Sequence, residues 1–219
     1  MSSPDCGQVA AIACELYEAE RDCKPVPPIT ERFPGFDAVQ AYAVQRHLLE
    51  MKLREGAGLV GRKVGLTSKA MQDLLGVREP DYGFLLDRMV VGSGDEIPYS
   101  RLIQPRVEGE IAFILDRRLE GPGVHVAQVW RATCAVMAAI EVIDSRICDW
   151  RIKLPDTVAD NASSARVVLG GILVPPRRVD LELAGMVLRK NGRVVATGAG
   201  AAVLGHPAAA VAWLVNKLA

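Results

Sequence analysis

Glu108 and Glu110 stand at alternate positions just before a short apolar run, residues 111–115, in a chain of 219 residues. If that run is a buried strand, side-chain alternation puts both carboxylates on one face, with Cα atoms about 6–7 Å apart. Like charges held that close repel each other. A divalent cation between them resolves the conflict, and donors that are all oxygen suit a hard ion such as Mg2+ or Mn2+. The plainer alternative is a pair of solvated acids at a sheet edge. Glu141 tips the balance toward an ion, because it lies inside the apolar stretch 139–144. A carboxylate there is costly unless it is paired or bound to metal.

Three further residues could do chemistry beside such an ion. Lys63 lies between Gly61 and Gly65; it is either a solvated turn lysine or a cation that neutralises a substrate carboxylate or enolate. Asp81, on the turn Pro80-Asp-Tyr-Gly83, is a turn former on spacing alone and a catalyst only in company. Ser163 lies near the end of a long polar stretch, residues 149–164, and by itself reads as a cap or loop residue. Loops of that length are uncommon unless they bind something.

The whole chain bounds these readings. Lys plus Arg and Asp plus Glu number 26 each, so no overall field recruits nucleic acid or an anionic membrane. The five cysteines form no C-x-x-C pair and follow no secretory signal, which predicts reduced thiols in a cytoplasmic protein. The three histidines show no zinc spacing. Residues 194–216 carry no charged side chain and are long enough to span a bilayer, but glycines and Pro207 break them up. A strand, a glycine-rich loop and a helix from about Pro207 explain them better, so no membrane partner is expected.

The elements that must position the candidates follow from periodicity. Helices are expected over 7–22 and 36–54, the second capped by Asp37 and ended by Gly56 and Gly58. The string 56–61 spells G-x-G-x-x-G. A helix precedes it and a strand (59–66) follows, the reverse of a dinucleotide site, so it is rejected as a cofactor motif. A short helix capped by Thr67 or Ser68 should run to Leu75, followed by strands at 84–86, 89–91 and 111–115. A helix over 128–139 then leads into the strand of Glu141. Strands near 165–173 and 181–190, a hairpin at Lys190-Asn-Gly-Arg193, a strand to Thr197 and the last helix complete the chain.

Five segments taken together carry a resemblance. They are residues 61–69 (Gly-Arg-Lys-Val-Gly-Leu-Thr-Ser-Lys), 80–83 (Pro-Asp-Tyr-Gly), 104–113 (Gln-Pro-Arg-Val-Glu-Gly-Glu-Ile-Ala-Phe), 141–147 (Glu-Val-Ile-Asp-Ser-Arg-Ile) and 156–163 (Asp-Thr-Val-Ala-Asp-Asn-Ala-Ser). In that order they resemble the 2-keto-4-pentenoate hydratase/4-oxalocrotonate decarboxylase branch of the fumarylacetoacetate hydrolase superfamily, from about residue 37 to the end. The resemblance implies an α+β fold, with an N-terminal helical cap (1–56) on a mixed β-roll core (57–219), in a homo-oligomer. It places the Mg2+ or Mn2+ ligands on Glu108, Glu110 and Glu141, the active-site lysine on Lys63, the turn aspartate on Asp81 and a substrate-facing serine on Ser163.

Residues 107–115 and 186–200 resemble the hydratases of aromatic meta-cleavage pathways more than the decarboxylases. The implied reaction adds water to 2-hydroxypenta-2,4-dienoate, giving 4-hydroxy-2-oxopentanoate, with a downstream aldolase or a related decarboxylase as partner. Decarboxylation of 4-oxalocrotonate is the first alternative. Hydrolysis of an acylpyruvate would need a histidine near these motifs, and none is there. Relatives of this type continue for several tens of residues beyond a segment like 211–219, so the chain is expected to lack C-terminal core strands. That makes a non-catalytic partner subunit the alternative from another class.

Overall fold

A computed structural model of the chain describes residues 5–219. Seven α-helices and eight strands alternate along them: α1 (Cys6–Asp22), α2 (Ile29–Arg32), α3 (Ala38–Arg54), β1 (Leu59–Gly65), α4 (Lys69–Leu75), β2 (Asp81–Leu86), β3 (Val90–Val91) and β4 (Arg106–Leu115). Then follow α5 (Val126–Ala132), β5 (Thr133–Ile143), α6 (Leu154–Ala159), β6 (Ser164–Leu169), β7 (Gly185–Lys190), β8 (Arg193–Ala199) and α7 (Pro207–Lys217). Hydrogen bonding joins β1 to β2, orders four strands as β3-β6-β5-β4, and pairs β7 with β8. The mixed α and β content matches the expected class.

The chain divides into two compact units. The first takes in residues up to Gly65, then Asp81–Glu108 and Glu141–Val168. Compactness thus groups the expected N-terminal cap with β1, β2 and the 141–168 segment; residues 1–4 of that cap lie outside the described residues. One apolar cluster explains the grouping. Val9, Ile12 and Leu16 of α1 and Val44 and Leu48 of α3 pack with Phe84, Leu86, Ile147 and Val158. Each such aliphatic or aromatic side chain contributes about 1.5–3 kcal/mol when fully buried.

The two long helices start within two residues of the expected positions. Asp5 with Gln8 and Asp37 with Gln40 form reciprocal capping boxes that satisfy first-turn N–H groups. The antiparallel pairing of β1 with β2 sets Lys63 opposite Gly83 and Gly65 opposite Asp81. Asp144 accepts from Ile103 N–H and Gln104 N–H, the latter at 2.6 Å, and Gln104 Nε2 donates to the carbonyls of Ser145 and Ile147. Those bonds pin the residues just before β4 to the residues just after β5.

The second unit contains Leu66–Pro80, Gly109–Ile140 and the chain from Leu169 onward. Its core packs Val124 and Val129 with Ala208 and Ala212 of α7, and Phe113 and Trp130 flank them. Asn191 and Gly192 have φ of 52° and 78°. This is the left-handed pair a two-residue hairpin requires, and it closes β7 onto β8 as expected. No helix among the described residues is long and apolar enough to cross a membrane.

Three local expectations are corrected. The helix expected over 128–139 ends at Ala132, and Thr133–Ile143 is one strand. Alanines at 132, 135, 138 and 139 favour helix intrinsically, but tertiary pairing overrides so weak a preference. The strand of the two glutamates runs Arg106–Leu115, and its apolar half, expected to be buried, is only half-buried. The polar stretch 149–164 is not a loop: Lys153 N–H and Thr30 bond Asp156, which anchors α6 within it.

Candidate active site

Lys63, Asp81, Glu108, Glu141 and Ser163 all belong to the first unit, and the strands bring four of them into mutual electrostatic range. Glu141 lies in β5, 4% exposed. Glu108 and Glu110 lie two apart on β4, its neighbour in the sheet. One carboxylate oxygen from each of Glu108, Glu110 and Glu141 can be chosen so that all three lie within 4.8 Å of one another. Ligands on opposite sides of Mg2+ or Ca2+ are about 4–5 Å apart, twice the metal–oxygen distance, so the three fit one ion with little adjustment.

A second observation supports that fit. Glu141 Oε1 is buried and accepts no hydrogen bond. Its other oxygen, Oε2, faces Lys63 Nζ at 3.3 Å. An orphaned, desolvated carboxylate oxygen beside two more carboxylates is a liability without a cation and a ligand with one.

Lys63 reaches this place from β1. Its ammonium also donates to the carbonyl of Ala162 at 3.2 Å. Asp81 starts β2 and is 2% exposed, with Oδ1 buried and unpartnered. Gly65 makes the approach possible. A Cβ there would overlap Asp81 Oδ1 and stand 3.2 Å from Lys63 Nζ, so the missing side chain is the room in which the two groups converge. Burial pushes the Asp81 carboxyl above the usual range, Lys63 opposes that, and the charge of Glu141 adds to it. Glu108 is raised as well, by desolvation and by the negative charges of Glu141 and Asp81, against the pull of Lys63 and Arg106. A positive ion among these groups would oppose both effects.

Ser163 is 2% exposed, and its hydroxyl lies 3.3 Å from Thr157 Oγ1. It ends the turn that supplies the Ala162 carbonyl to Lys63. Sequence reasoning missed that carbonyl, and no residue type could have announced a backbone atom. It also missed Arg106, whose guanidinium lies 4.3 Å over the Trp150 ring while its charge acts on Glu108. The basic residue two positions before Glu108 was the available signal.

Comparison with known proteins extends the geometry. The family model described as fumarylacetoacetate (FAA) hydrolase C-terminal matches residues 41–219. A 2-hydroxypent-2,4-dienoate hydratase of Pseudomonas putida is 53% identical over 207 residues, covering 93% of this chain and 92% of the relative. The solved structure of 4-oxalocrotonate decarboxylase from Pseudomonas putida G7, complexed with magnesium and adipate, aligns with a TM-score of 0.96 at 41% identity. It covers all of this chain, which in turn spans 83% of that one. The same enzyme complexed with calcium and acetate aligns at 0.94.

Proposed function

The chain belongs to the fumarylacetoacetate hydrolase family, and from that premise we propose that it is a hydro-lyase acting on 2-hydroxypenta-2,4-dienoate, with 4-hydroxy-2-oxopentanoate as product. The observation that carries this reading is the Glu108, Glu110 and Glu141 oxygen set with Lys63 against Glu141. The hydratase relative at 53% identity supports water addition over decarboxylation. The divalent ions in the solved relatives support Mg2+ or a similar hard ion, Mn2+ included, on the three glutamates.

Water addition needs four transfers. The dienol gives up its 2-hydroxyl proton and gains one at C5, giving the conjugated 2-oxo acid; hydroxide from water adds at C4; the remaining proton of that water then reaches C3. Negative charge gathers on the 2-oxygen during ketonisation and again during addition. When bound, the ion would supply Lewis-acid stabilisation of the substrate's carboxylate and 2-oxygen. Lys63 supplies a fixed positive charge against the same oxygen. Asp81, held above the usual carboxylate range by burial, keeps a proton more readily than an exposed acid and is our candidate to move protons at the carbon skeleton. Ser163 is our candidate to orient the substrate.

The product is a 4-hydroxy-2-oxo acid, an aldol, so the reaction class that would consume it is aldol cleavage. An aldolase, or a related decarboxylase, is therefore the partner we favour. A homo-oligomer is supported by exposed Ile172, Leu173, Leu183, Val187, Val194 and Val195 in the second unit. Five free cysteines fit a cytoplasmic setting.

The decarboxylase relatives favour one second reading, CO2 loss from 4-oxalocrotonate. Purified protein with Mg2+ should consume 2-hydroxypenta-2,4-dienoate, read as loss of its ultraviolet absorbance and by product mass. CO2 release from 4-oxalocrotonate without dienoate loss would transfer the assignment to decarboxylation. No turnover of either would point to a partner subunit.

A further inference from the structure

Side-chain amides cover part of β2. Gln45 Nε2 donates to Tyr82 O at 2.9 Å and to Val158 O at 2.8 Å. Two residues on, Asn161 engages both backbone groups of Phe84. Its Oδ1 accepts Phe84 N–H at 2.7 Å and its Nδ2 donates to Phe84 O at 3.1 Å. A primary amide offers donor and acceptor side by side, the pattern a neighbouring strand would present. Gly83 permits the approach, since a Cβ there would stand 2.7 Å from Asn161 O and 2.8 Å from Asn161 Oδ1.

The backbone at this clamp is unusual. Asn161, Ala162 and Ser163 have φ of 54°, 49° and 55°, three successive non-glycine residues in the left-handed region. Such a run persists only when its surroundings hold it. Arg146, 2% exposed, holds the flanks. It ion-pairs with Asp160 and donates to the carbonyls of Asp144, Asp160 and Ser164. What the strained run delivers is the Ala162 carbonyl, 3.2 Å from Lys63 Nζ.

We propose that Asn161 is a positioning residue for Lys63: by clamping Phe84 it fixes the Ala162 carbonyl, which in turn fixes the ammonium against Glu141. The inference rests on the catalytic reading of Lys63 given above. The chain of contacts runs from the strand that carries Asp81 to the group that neutralises the substrate oxygen. Misplacing such a group by about 1 Å is enough to cost on the order of a hundredfold in rate.

Asn161→Gly tests this, because glycine keeps the left-handed backbone accessible and removes only the clamp. In the Mg2+-loaded enzyme, kcat should fall by about tenfold or more, with KM changed by less than about threefold. In a Lys63→Met background the same change should cost less than about twofold, because the group it positions is gone. An equal loss in both backgrounds, or a kcat within about twofold of wild type, overturns the proposal. Phe84 amide exchange should quicken in Asn161→Gly, and unchanged exchange refutes the clamp. If wild type turns over neither substrate, the functional reading falls. Acylation of Lys63 by an N-hydroxysuccinimide ester then decides the positioning claim: faster in Asn161→Gly supports it, and an unchanged rate refutes it. If Asn161→Gly fails to fold, Asn161→Asp, which keeps the acceptor and loses the donor, carries the same cycle.

Discussion

Lys63 Nζ stands 3.3 Å from Glu141 Oε2, with only 11% and 6% of the two side chains exposed. The pair links β1 of the two-stranded sheet to β5 of the four-stranded sheet. Withdrawal from water strengthens their attraction but raises the cost of any oxygen left over. Glu141 Oε1 is such an oxygen. A site built this way holds a lysine and asks for a second cation.

Metal affinity should therefore depend on each of the three glutamates. Calorimetric titration with Mg2+ is expected to show about tenfold weaker binding or worse in Glu108→Ala and Glu141→Ala, as deletions around metal sites commonly cost 10–100-fold. Equal affinity in wild type and both variants would remove the metal site.

Lys63→Met should separate binding from chemistry. The charge it removes acts on the developing oxyanion, so kcat should fall by about 100- to 1,000-fold. The Mg2+ affinity should stay near that of wild type, because the three carboxylates remain. A variant with wild-type kcat would make Lys63 a structural counter-ion only.

Gly65→Ala probes the shared space above β1. The added methyl would overlap Asp81 Oδ1 and press on Lys63 Nζ. Gly65 has no positive φ, so alanine adds no backbone strain of its own. Turnover should fall by about tenfold or more while the melting temperature holds, since the displaced groups serve the reaction rather than the core.

Asp160→Ala should act on stability instead. It leaves Arg146 charged and fully buried without its ion-pair partner. Breaking one side of a buried pair costs about 3–5 kcal/mol. Denaturant unfolding should show a loss of that order, and a loss below about 1 kcal/mol would place Arg146 in water.

Acid stability should carry a mark of the Glu20–Lys52 pair, 2.5 Å apart between α1 and α3. Burial opposes ionisation of Glu20, and the Lys52 ammonium, helped by the charges of Arg146 and Arg166, more than offsets it, so its carboxyl titrates below the usual range. The unfolded chain then binds more protons as pH falls through that window, and folding stability is lost there. In Lys52→Met the largest part of that depression is lost. Its stability should fall less steeply on the acid side, measured by unfolding between about pH 3 and about pH 6. Parallel curves for the two proteins would show that the pair does not couple.

Much of this site was legible in the sequence. Alternation put Glu108 and Glu110 on one face, and the cost of a carboxylate among apolar residues marked Glu141. Capping residues located α3 and α4, apolar periodicity located α1, and Asn191-Gly192 located the hairpin. Each of these signals is local, a matter of a few adjacent residues and a fixed period. The misread segments lacked such a signal. Alanine-rich residues 133–139 are strand because β4 and β6 flank them, and residues 149–164 are ordered by Arg146 and by Thr30, the latter distant in sequence.

By itself, then, the chain determined which residue types could hold a hard ion and move a proton, because donor chemistry and strand alternation are written into neighbouring positions. Tertiary structure alone decided that Lys63 meets Glu141, that Gly65 gives Asp81 its space, and that Asn161 holds the carbonyl behind the lysine. Those relations join residues 16 to 99 positions apart, and only the packed core brings such groups within hydrogen-bonding distance.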